Sequence, residues 1–301
     1  MSHAVVFSGQ GAQHPAMLPW LADDATLRAM CVQLGVADWR AALRDPDWAG
    51  ANLNAQLVLT GVALAAWQQL AGALPAPRAV AGYSVGELAA CSAAGMVDAA
   101  TALDLARRRA EAMDRAAARA PGALMGVTGP AAAELERVCA AHGLDVAIRT
   151  GSHSGVVAGT LPALAAAQAQ WTAAGARCTR LPVAVRSHTP AMRSAADAYA
   201  QVLAGTALSA PRLALVCNAT GARCAGLGEA RDALAAQIAT TVRWDDCMQA
   251  LHERRPRCVL EIGPGQALAR LWNEQHPDIP ARACDDFRSR DAVVEWVRSA
   301  R

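Results

Sequence analysis

Gly82-Tyr83-Ser84-Val85-Gly86 places a serine between two glycines, after the apolar run Ala79-Val80-Ala81 and before Leu88-Ala89-Ala90-Cys91, which is typical of a helix. A chain that turns sharply from a strand into a helix needs small residues beside the turn, because strand and helix then approach closely. The serine at the turn presents its hydroxyl at a helix N-terminus, where backbone N–H groups favour negative charge. The stretch therefore predicts a nucleophile elbow at Ser84, with a plain tight turn as the simpler alternative.

The elements predicted around this turn alternate between strand and helix. Strands are predicted at residues 4–7 and 79–81, and helices at residues 54–74 and 99–118. Such alternation is typical of an α/β fold with a largely parallel sheet. Two further strands, predicted at residues 213–217 and 258–262, extend this domain, and the second leads into another strand-to-helix turn, Gly263-Pro264-Gly265.

The middle of the chain follows a different pattern. Strands are predicted at residues 123–127, 145–149, 155–158 and 177–182, and helices at residues 131–141 and 162–174. The order strand, helix, strand, strand, helix, strand is that of the ferredoxin-like module. We therefore predict a core domain formed by residues 1–120 and 187–301, with a small subdomain inserted at residues 121–186.

Composition excludes several classes of function. The 301 residues are 53 % hydrophobic, which suffices for a large core, and the formal net charge of +2 includes no basic block of the kind that binds nucleic acid. No apolar run is long enough to predict a membrane span. The nine cysteines form no Cys-x-x-Cys pair and no signal-peptide pattern opens the chain, so a reduced, cytoplasmic protein is expected. No pattern typical of a metal, nicotinamide or flavin site is present.

A nucleophilic serine needs a general base, and His188 is the candidate because it lies where the predicted insert returns to the core domain. A hydrolase triad would add a carboxylate between Ser84 and His188 in sequence. The candidates include Asp98, Asp104, Asp114 and Asp145. Only Asp145 lies in a clear strand-end loop, and it belongs to the insert. The absence of a suitably placed triad carboxylate in the core domain argues against an ordinary esterase.

Arg107, Arg108 and Arg109 are consecutive on the helix that follows the predicted elbow. Two of the three are expected on a solvated helix face. An arginine that reaches the cleft instead would pair with a carboxylate through its planar fork. Such a residue would select acyl groups that end in a carboxylate.

Phe7-Ser8-Gly9-Gln10-Gly11-Ala12-Gln13, taken together with the elbow through Glu87, resembles the malonyl-CoA:acyl-carrier-protein transacylases. The similarity continues in order along nearly the whole chain, through Asn54-Ala55-Gln56, Arg109-Ala110-Glu111-Ala112-Met113, Ser187-His188-Thr189-Pro190-Ala191-Met192, Asn218-Ala219-Thr220-Gly221, Gln237 with Val242-Arg243-Trp244, and Glu261-Ile262-Gly263-Pro264-Gly265. The resemblance implies an α/β-hydrolase-like core with a ferredoxin-like insert, in agreement with the elements predicted above.

The resemblance also implies roles for individual residues. Ser84 would be the nucleophile and His188 the general base and then the general acid. The backbone N–H groups of Gln10 and Val85 would form the oxyanion hole. Arg109 would bind the malonyl carboxylate.

Two glutamines complete the site that the resemblance implies. In this family a backbone carbonyl, not a carboxylate, holds the histidine, and Gln237 occupies the matching position. Gln56 matches a family glutamine near the active site that has no assigned role. Glu87 follows the elbow, and a structural role is as well supported as a functional one.

The implied reaction moves a malonyl group from malonyl-CoA to the thiol of an acyl carrier protein, with no permanently bound cofactor. Within the family, three features are most similar to the epsilon subunits of bacterial malonate decarboxylases: Tyr83 in the elbow, the segment 149–155 and the tail 281–289. The acceptor would then be a carrier subunit with a dephospho-CoA-like prosthetic thiol. The alternatives are a transacylase of fatty-acid or polyketide synthesis, a serine esterase or thioesterase, and a non-catalytic scaffold.

Overall fold

The computed structural model describes residues 2–300, which form two β-sheets flanked by helices. The strands in chain order are β1 His3–Phe7, β2 Ala79–Gly82, β3 Ala123–Thr128, β4 Asp145–Gly151, β5 Ser154–Gly159, β6 Arg177–Arg180, β7 Leu215–Cys217, β8 Ala222–Arg223, β9 Val242–Arg243, β10 Cys258–Ile262 and β11 Ala281–Ala283. The predicted α/β class is confirmed, and the strands foreseen from sequence lie within about three residues of the observed ones.

Helices fill the connections between these strands. They are α1 Ala25–Leu34, α2 Trp39–Ala42, α3 Pro46–Gly50, α4 Asn52–Ala71, α5 Gly86–Ala93, α6 Ala99–Ala117, α7 Ala132–His142, α8 Leu161–Ala173, α9 Arg193–Ala204, α10 Leu227–Ala236, α11 Trp244–His252, α12 Ala267–Gln275 and α13 Arg290–Ser299, with short 3₁₀ turns at Pro190–Met192 and Cys284–Asp286. Asp98 caps α6 by accepting from the backbone N–H of Thr101. Gly143 ends α7 with a φ of 62°.

The first sheet has the strand order β11-β10-β1-β2-β7-β8 and is parallel except for the last pair. Its central strands are buried along their whole length, as expected for a parallel sheet covered by helices on both faces. Because the strands are parallel, the residues that follow β1, β2 and β10 meet at one edge of the sheet. Ligand sites in open α/β sheets form at this edge.

The second sheet has the order β6-β3-β5-β4-β9 and is antiparallel except where β9 joins β4. Its first four strands, with α7 and α8, follow the chain order strand, helix, strand, strand, helix, strand. The fifth strand comes from residues 242–243, which lie outside the segment 121–186, and no sequence pattern predicted this pairing. The second sheet is therefore mixed, like the first.

Two hydrophobic cores stabilise these layers. The larger core surrounds the first sheet, and the smaller one lies between the second sheet and the helices α7 and α8, with Trp171 buried in it. Leu124, Ile148 and Val156 lie on the second sheet but pack in the larger core. The second sheet thus presents one face to its own helices and the other to the edge where the parallel strands end.

Candidate active site

The turn between β2 and α5 has the backbone of a nucleophile elbow. Ser84 adopts a φ of 55°, a left-handed conformation that is uncommon for a residue with a side chain and costs of order 1–3 kcal/mol. A Cβ on Gly82 would collide with the backbone of Gly86, and one on Gly86 would lie 2.5 Å from the carbonyl oxygen of Phe7. Both glycines are therefore required for strand and helix to approach this closely.

Asn218 holds the elbow in this strained conformation. Its Oδ1 accepts from the backbone N–H of Ser84 at 2.8 Å, and its Nδ2 donates to the carbonyl of Gly82 at 2.6 Å. Its own backbone N–H donates to Oε1 of Glu87 at 2.9 Å, and Gln237 Nε2 donates to the carbonyl of Ser84 at 3.1 Å. The sequence patterns assigned no role to Asn218, although the stretch 218–221 belongs to the family resemblance.

His188 lies against the serine hydroxyl. Its Nε2 is 2.8 Å from Ser84 Oγ, and its Nδ1 is 2.6 Å from the backbone carbonyl of Gln237. A carbonyl can only accept, so Nδ1 carries the proton and Nε2 is left to accept from the serine hydroxyl. Burial, and secondly the positive charge of Arg109, lower the pKa of His188 to about 3. The imidazole is therefore neutral and able to act as a base at physiological pH.

No carboxylate takes the third place of a triad: within residues 2–300, the acceptor on His188 Nδ1 is the Gln237 carbonyl. This agrees with the absence of a suitable acid in the sequence. His188 itself has a φ of 65°, and its backbone N–H donates to the carbonyl of Ile238 at 2.8 Å. The segment after α10 therefore fixes both the backbone and the ring of the histidine.

Arg109 is 1 % exposed and brings a guanidinium to the same point. Its Nη1 donates to Gln56 Oε1 at 2.6 Å, and its Nη2 donates to Gln237 Oε1 at 3.1 Å and lies 3.4 Å from Ser84 Oγ. Burial lowers the pKa of Arg109 to about 10, so the group stays charged at neutral pH. Five of the residues predicted for the site, Ser84, His188, Arg109, Gln56 and Gln237, thus form one hydrogen-bonded cluster.

Glu87 lies beneath this cluster and is fully buried. Burial raises its pKa to about 7, against the opposing effects of the Asn218 N–H and the Arg109 charge. Its Oε2 has no hydrogen-bond partner within residues 2–300. Glu87 is thus the nearby acidic group for Arg109 without forming a hydrogen-bonded ion pair with it.

The cluster opens into a cavity of about 360 Å³ between the two sheets. The elbow contributes Ser84, the loop after β1 contributes Gln10 and α6 contributes Arg109, while the second sheet contributes both apolar and hydroxyl-bearing side chains. Among residues 2–300, the backbone N–H groups of Gln10 and Val85 donate to no protein acceptor. They therefore remain available to a ligand.

Between residues 2 and 300, no group of three or more His, Cys, Asp or Glu side chains is arranged to hold a metal ion. None of the helices in that range combines the length and apolar character needed to cross a membrane.

The family profile described as the acyl transferase domain matches residues 4–278. The malonyl CoA-acyl carrier protein transacylase of Escherichia coli K12 is 32 % identical over 310 residues, which cover 97 % of this chain and 98 % of that protein. The chain belongs to the malonyl-CoA:acyl-carrier-protein transacylase family. It is therefore an enzyme, an acyltransferase.

Solved structures of this family superimpose on nearly all of the chain. The transacylase of Xanthomonas oryzae gives a TM-score of 0.90 at 29 % identity and covers 98 % of this chain and 99 % of that one. A malonyl-transacylase in complex with a type II polyketide-synthase acyl-carrier protein gives the same TM-score, identity and coverage. The α/β fold with two mixed sheets is that of the transacylase family.

Proposed function

We propose that this acyltransferase moves a malonyl group from malonyl-CoA to the thiol of an acyl carrier protein through an acyl ester on Ser84. One observation carries the proposal: a buried guanidinium, Arg109, lies 3.4 Å from the oxygen of a serine that is paired with a neutral imidazole. The geometry unites a nucleophile, a base and a receptor for a carboxylate. An acyl group with a terminal carboxylate fits that combination.

In the first half-reaction Ser84 Oγ attacks the thioester carbonyl of malonyl-CoA while His188 Nε2 takes the serine proton. The carbonyl electrons move onto oxygen, and the backbone N–H groups of Gln10 and Val85 bind the resulting oxyanion. Losing one such donor costs about 2.7–4 kcal/mol in other enzymes. The tetrahedral intermediate then collapses with cleavage of the C–S bond, and His188 returns its proton to the leaving CoA thiolate.

In the second half-reaction the carrier thiol replaces CoA. His188 Nε2 takes the thiol proton, the sulfur attacks the ester of Ser84, and collapse breaks the C–O bond and returns the proton to the serine. Donor and acceptor thus use the cleft in turn, so the kinetics are expected to be ping-pong. The carbonyl of Gln237 stabilises the imidazolium that forms in each half by accepting from Nδ1.

Arg109 selects the acyl group. Its Nη1 and Nη2 are held by Gln56 and Gln237, so the guanidinium plane is fixed before substrate arrives. A malonyl carboxylate adds charge-assisted hydrogen bonds that an acetyl group cannot make. We propose Gln56 and Gln237 as supporting residues that orient Arg109.

We also propose the domain division 1–120 with 187–301 as an α/β-hydrolase-like core, and 121–186 as a ferredoxin-like subdomain. Four of the five strands of the second sheet come from that inserted segment, which supports the division. The strand β9 is the exception, because the core domain supplies it to the sheet of the subdomain.

For the physiological acceptor we propose the carrier subunit of a malonate decarboxylase, with this chain as the epsilon subunit. Tyr83, the segment 149–155 and the tail 281–289 support this assignment. The 32 % identity to the Escherichia coli transacylase favours a second candidate, a transacylase of fatty-acid or polyketide synthesis. Purified carriers distinguish the two: faster malonyl transfer to a carrier with a dephospho-CoA-derived arm favours the first, and faster transfer to a phosphopantetheine carrier favours the second.

Intact-protein mass spectrometry tests the acyl-enzyme. After brief incubation with malonyl-CoA, the wild type is expected to gain one malonyl group, and Ser84→Ala is expected to gain none. Ser152→Ala is the matched control, because Ser152 is exposed in the turn between β4 and β5, outside the cavity. Release of CoA without an adduct would indicate a hydrolase. If the wild type shows no adduct and releases no CoA, malonyl transfer is refuted.

A further inference from the structure

Gln10 lines the cavity beside the catalytic cluster, and the nitrogen of its side-chain amide is buried. Several buried side-chain nitrogen and oxygen atoms of residues 2–300 have no hydrogen-bond partner, and only two of them, Gln10 Nε2 and Arg109 Nε, belong to residues that line the cavity. A buried donor without a partner costs about 1–3 kcal/mol. A ligand that pairs with Gln10 would recover that cost.

The side-chain amide of Gln10 indicates which kind of ligand it would bind. A carboxamide offers an N–H donor and a carbonyl acceptor, and the buried N–H donor of Gln10, Nε2, has no partner within residues 2–300. The complementary ligand is another amide. Two hydroxyls that line the same cavity are already paired: Thr150 Oγ1 donates to Ser154 Oγ at 2.8 Å, and Ser8 Oγ donates to Glu261 Oε1 at 2.8 Å.

We propose that Gln10 recognises the amide of the β-mercaptoethylamide end that CoA and carrier arms share. This inference rests on the proposed function, in which the backbone N–H of Gln10 binds the thioester oxygen. Two bond counts are equal. The number of bonds from the backbone nitrogen of Gln10 to its Nε2 is the same as the number from the thioester carbon to the carbonyl carbon of the arm's amide. One residue therefore spans both groups, and its side chain selects thiols that carry an amide two carbons from sulfur.

The test compares two acceptor thiols, N-acetylcysteamine and isohexanethiol, which has the same length and branching without the amide. Malonyl transfer from malonyl-CoA to each thiol is measured as kcat/KM. The wild type is expected to favour the amide thiol by about tenfold after correction for non-enzymatic reactivity, the factor that one hydrogen bond to a neutral group supplies. In Gln10→Met this preference is expected to fall below about twofold.

The matched control is Ser154→Ala, because Ser154 lines the same cavity but its hydroxyl already has a partner. Its preference for the amide thiol is expected to equal that of the wild type. Retention of the preference in Gln10→Met would overturn the proposal, and so would an equal loss of the preference in Ser154→Ala. If Gln10→Met does not fold, Gln10→Leu, which also removes both the N–H donor and the carbonyl acceptor, is expected to lose the preference as well.

The malonyl adduct on Ser84 separates this proposal from the one on which it rests. A wild-type enzyme that never gains the adduct refutes malonyl transfer itself. A wild-type enzyme that gains the adduct but transfers malonyl equally well to both thiols refutes only the amide subsite. An adduct with a tenfold preference that disappears in Gln10→Met supports both.

Discussion

The two faces of α6 carry the same side chain in opposite roles. Arg107 and Arg108 lie on the exposed face, where Asp104 accepts from both at 2.6 Å and Glu111 accepts from Arg107 at 2.9 Å. Arg109 lies on the buried face, where its partners are the amide oxygens of two glutamines, not carboxylates. The exposed arginines have their anions, while the buried one is hydrogen-bonded to neutral groups and retains the capacity to bind an anion.

This difference follows from helix geometry and desolvation. Each residue turns the helix by about 100°, so a step of one position moves a side chain from solvent to the cavity. In water an ion pair contributes about 0–1 kcal/mol, whereas a buried charge without a full set of partners attracts an anion much more strongly. The same residue type therefore has a minor effect on stability at positions 107 and 108 and is positioned to select substrate at 109.

The largest expected effect comes from Arg109→Met. Malonyl loading of Ser84 is expected to fall about 10–100-fold, because hydrogen bonds to a charged group are worth about 1.5–3 kcal/mol. Acetyl loading is expected to fall less, because acetyl has no carboxylate. The measurement is the rate of adduct formation with malonyl-CoA and with acetyl-CoA.

Arg108→Met supplies the control on the exposed face of the same helix. It is expected to leave both loading rates within about twofold of the wild type, since its ion pair with Asp104 is exposed. An unchanged malonyl-to-acetyl ratio in Arg109→Met would show that the buried arginine does not read the acyl group.

A smaller effect is expected when the partners of the arginines are removed. Gln56→Leu leaves Nη1 of Arg109 and Oδ1 of Asn52 without their partner inside the protein, at a cost of about 1–3 kcal/mol in the free energy of unfolding. Asp104→Asn breaks both of its ion pairs on the exposed face and is expected to cost about 0–1 kcal/mol. Urea unfolding of the two variants measures both losses in the free energy of unfolding. Equal losses would contradict the distinction between the buried and the exposed arginine partners.

The sequence was sufficient to predict the parts of the site that have local causes. The elbow depends on two glycines within five residues of one another, and the α/β class depends on alternating periodicities. The position of Arg109 also had a local signal: Ala102, Leu105, Ala106 and Met113 are buried on its face of α6, at helical spacing. This spacing assigns Arg109, but not Arg107 or Arg108, to the buried face of α6.

The remaining features depend on contacts between distant segments. Asn218 reaches the elbow from a loop 134 residues away, and no periodicity encodes which backbone groups its side chain will meet. The strand β9 is two residues long and pairs with β4 across nearly a hundred positions of sequence, so its length gave no strand signal. Even the contact of His188 with the Gln237 carbonyl was expected from family resemblance and not from spacing.

The last and smallest effect concerns pH. Burial first, and then the charge of Arg109, lower the pKa of His188 to about 3, and only the neutral ring can accept the serine proton. Malonyl loading of the wild type is therefore expected to be nearly as fast at pH 5 as at pH 7. An imidazole of ordinary pKa would be only about 3 % neutral at pH 5, and loading would slow accordingly. Single-turnover loading across this range is the measurement, and a loss of rate that begins near pH 6.5 would contradict the interpretation.

Two variants test the contribution of the Arg109 charge to the pKa of His188. In Arg109→Met the charge is gone and burial remains, so the acid limb, the low-pH range in which the loading rate falls, is expected to move to higher pH but stay below 6.5. Arg108→Met, with its charge on the exposed face, is expected to leave the acid limb in place.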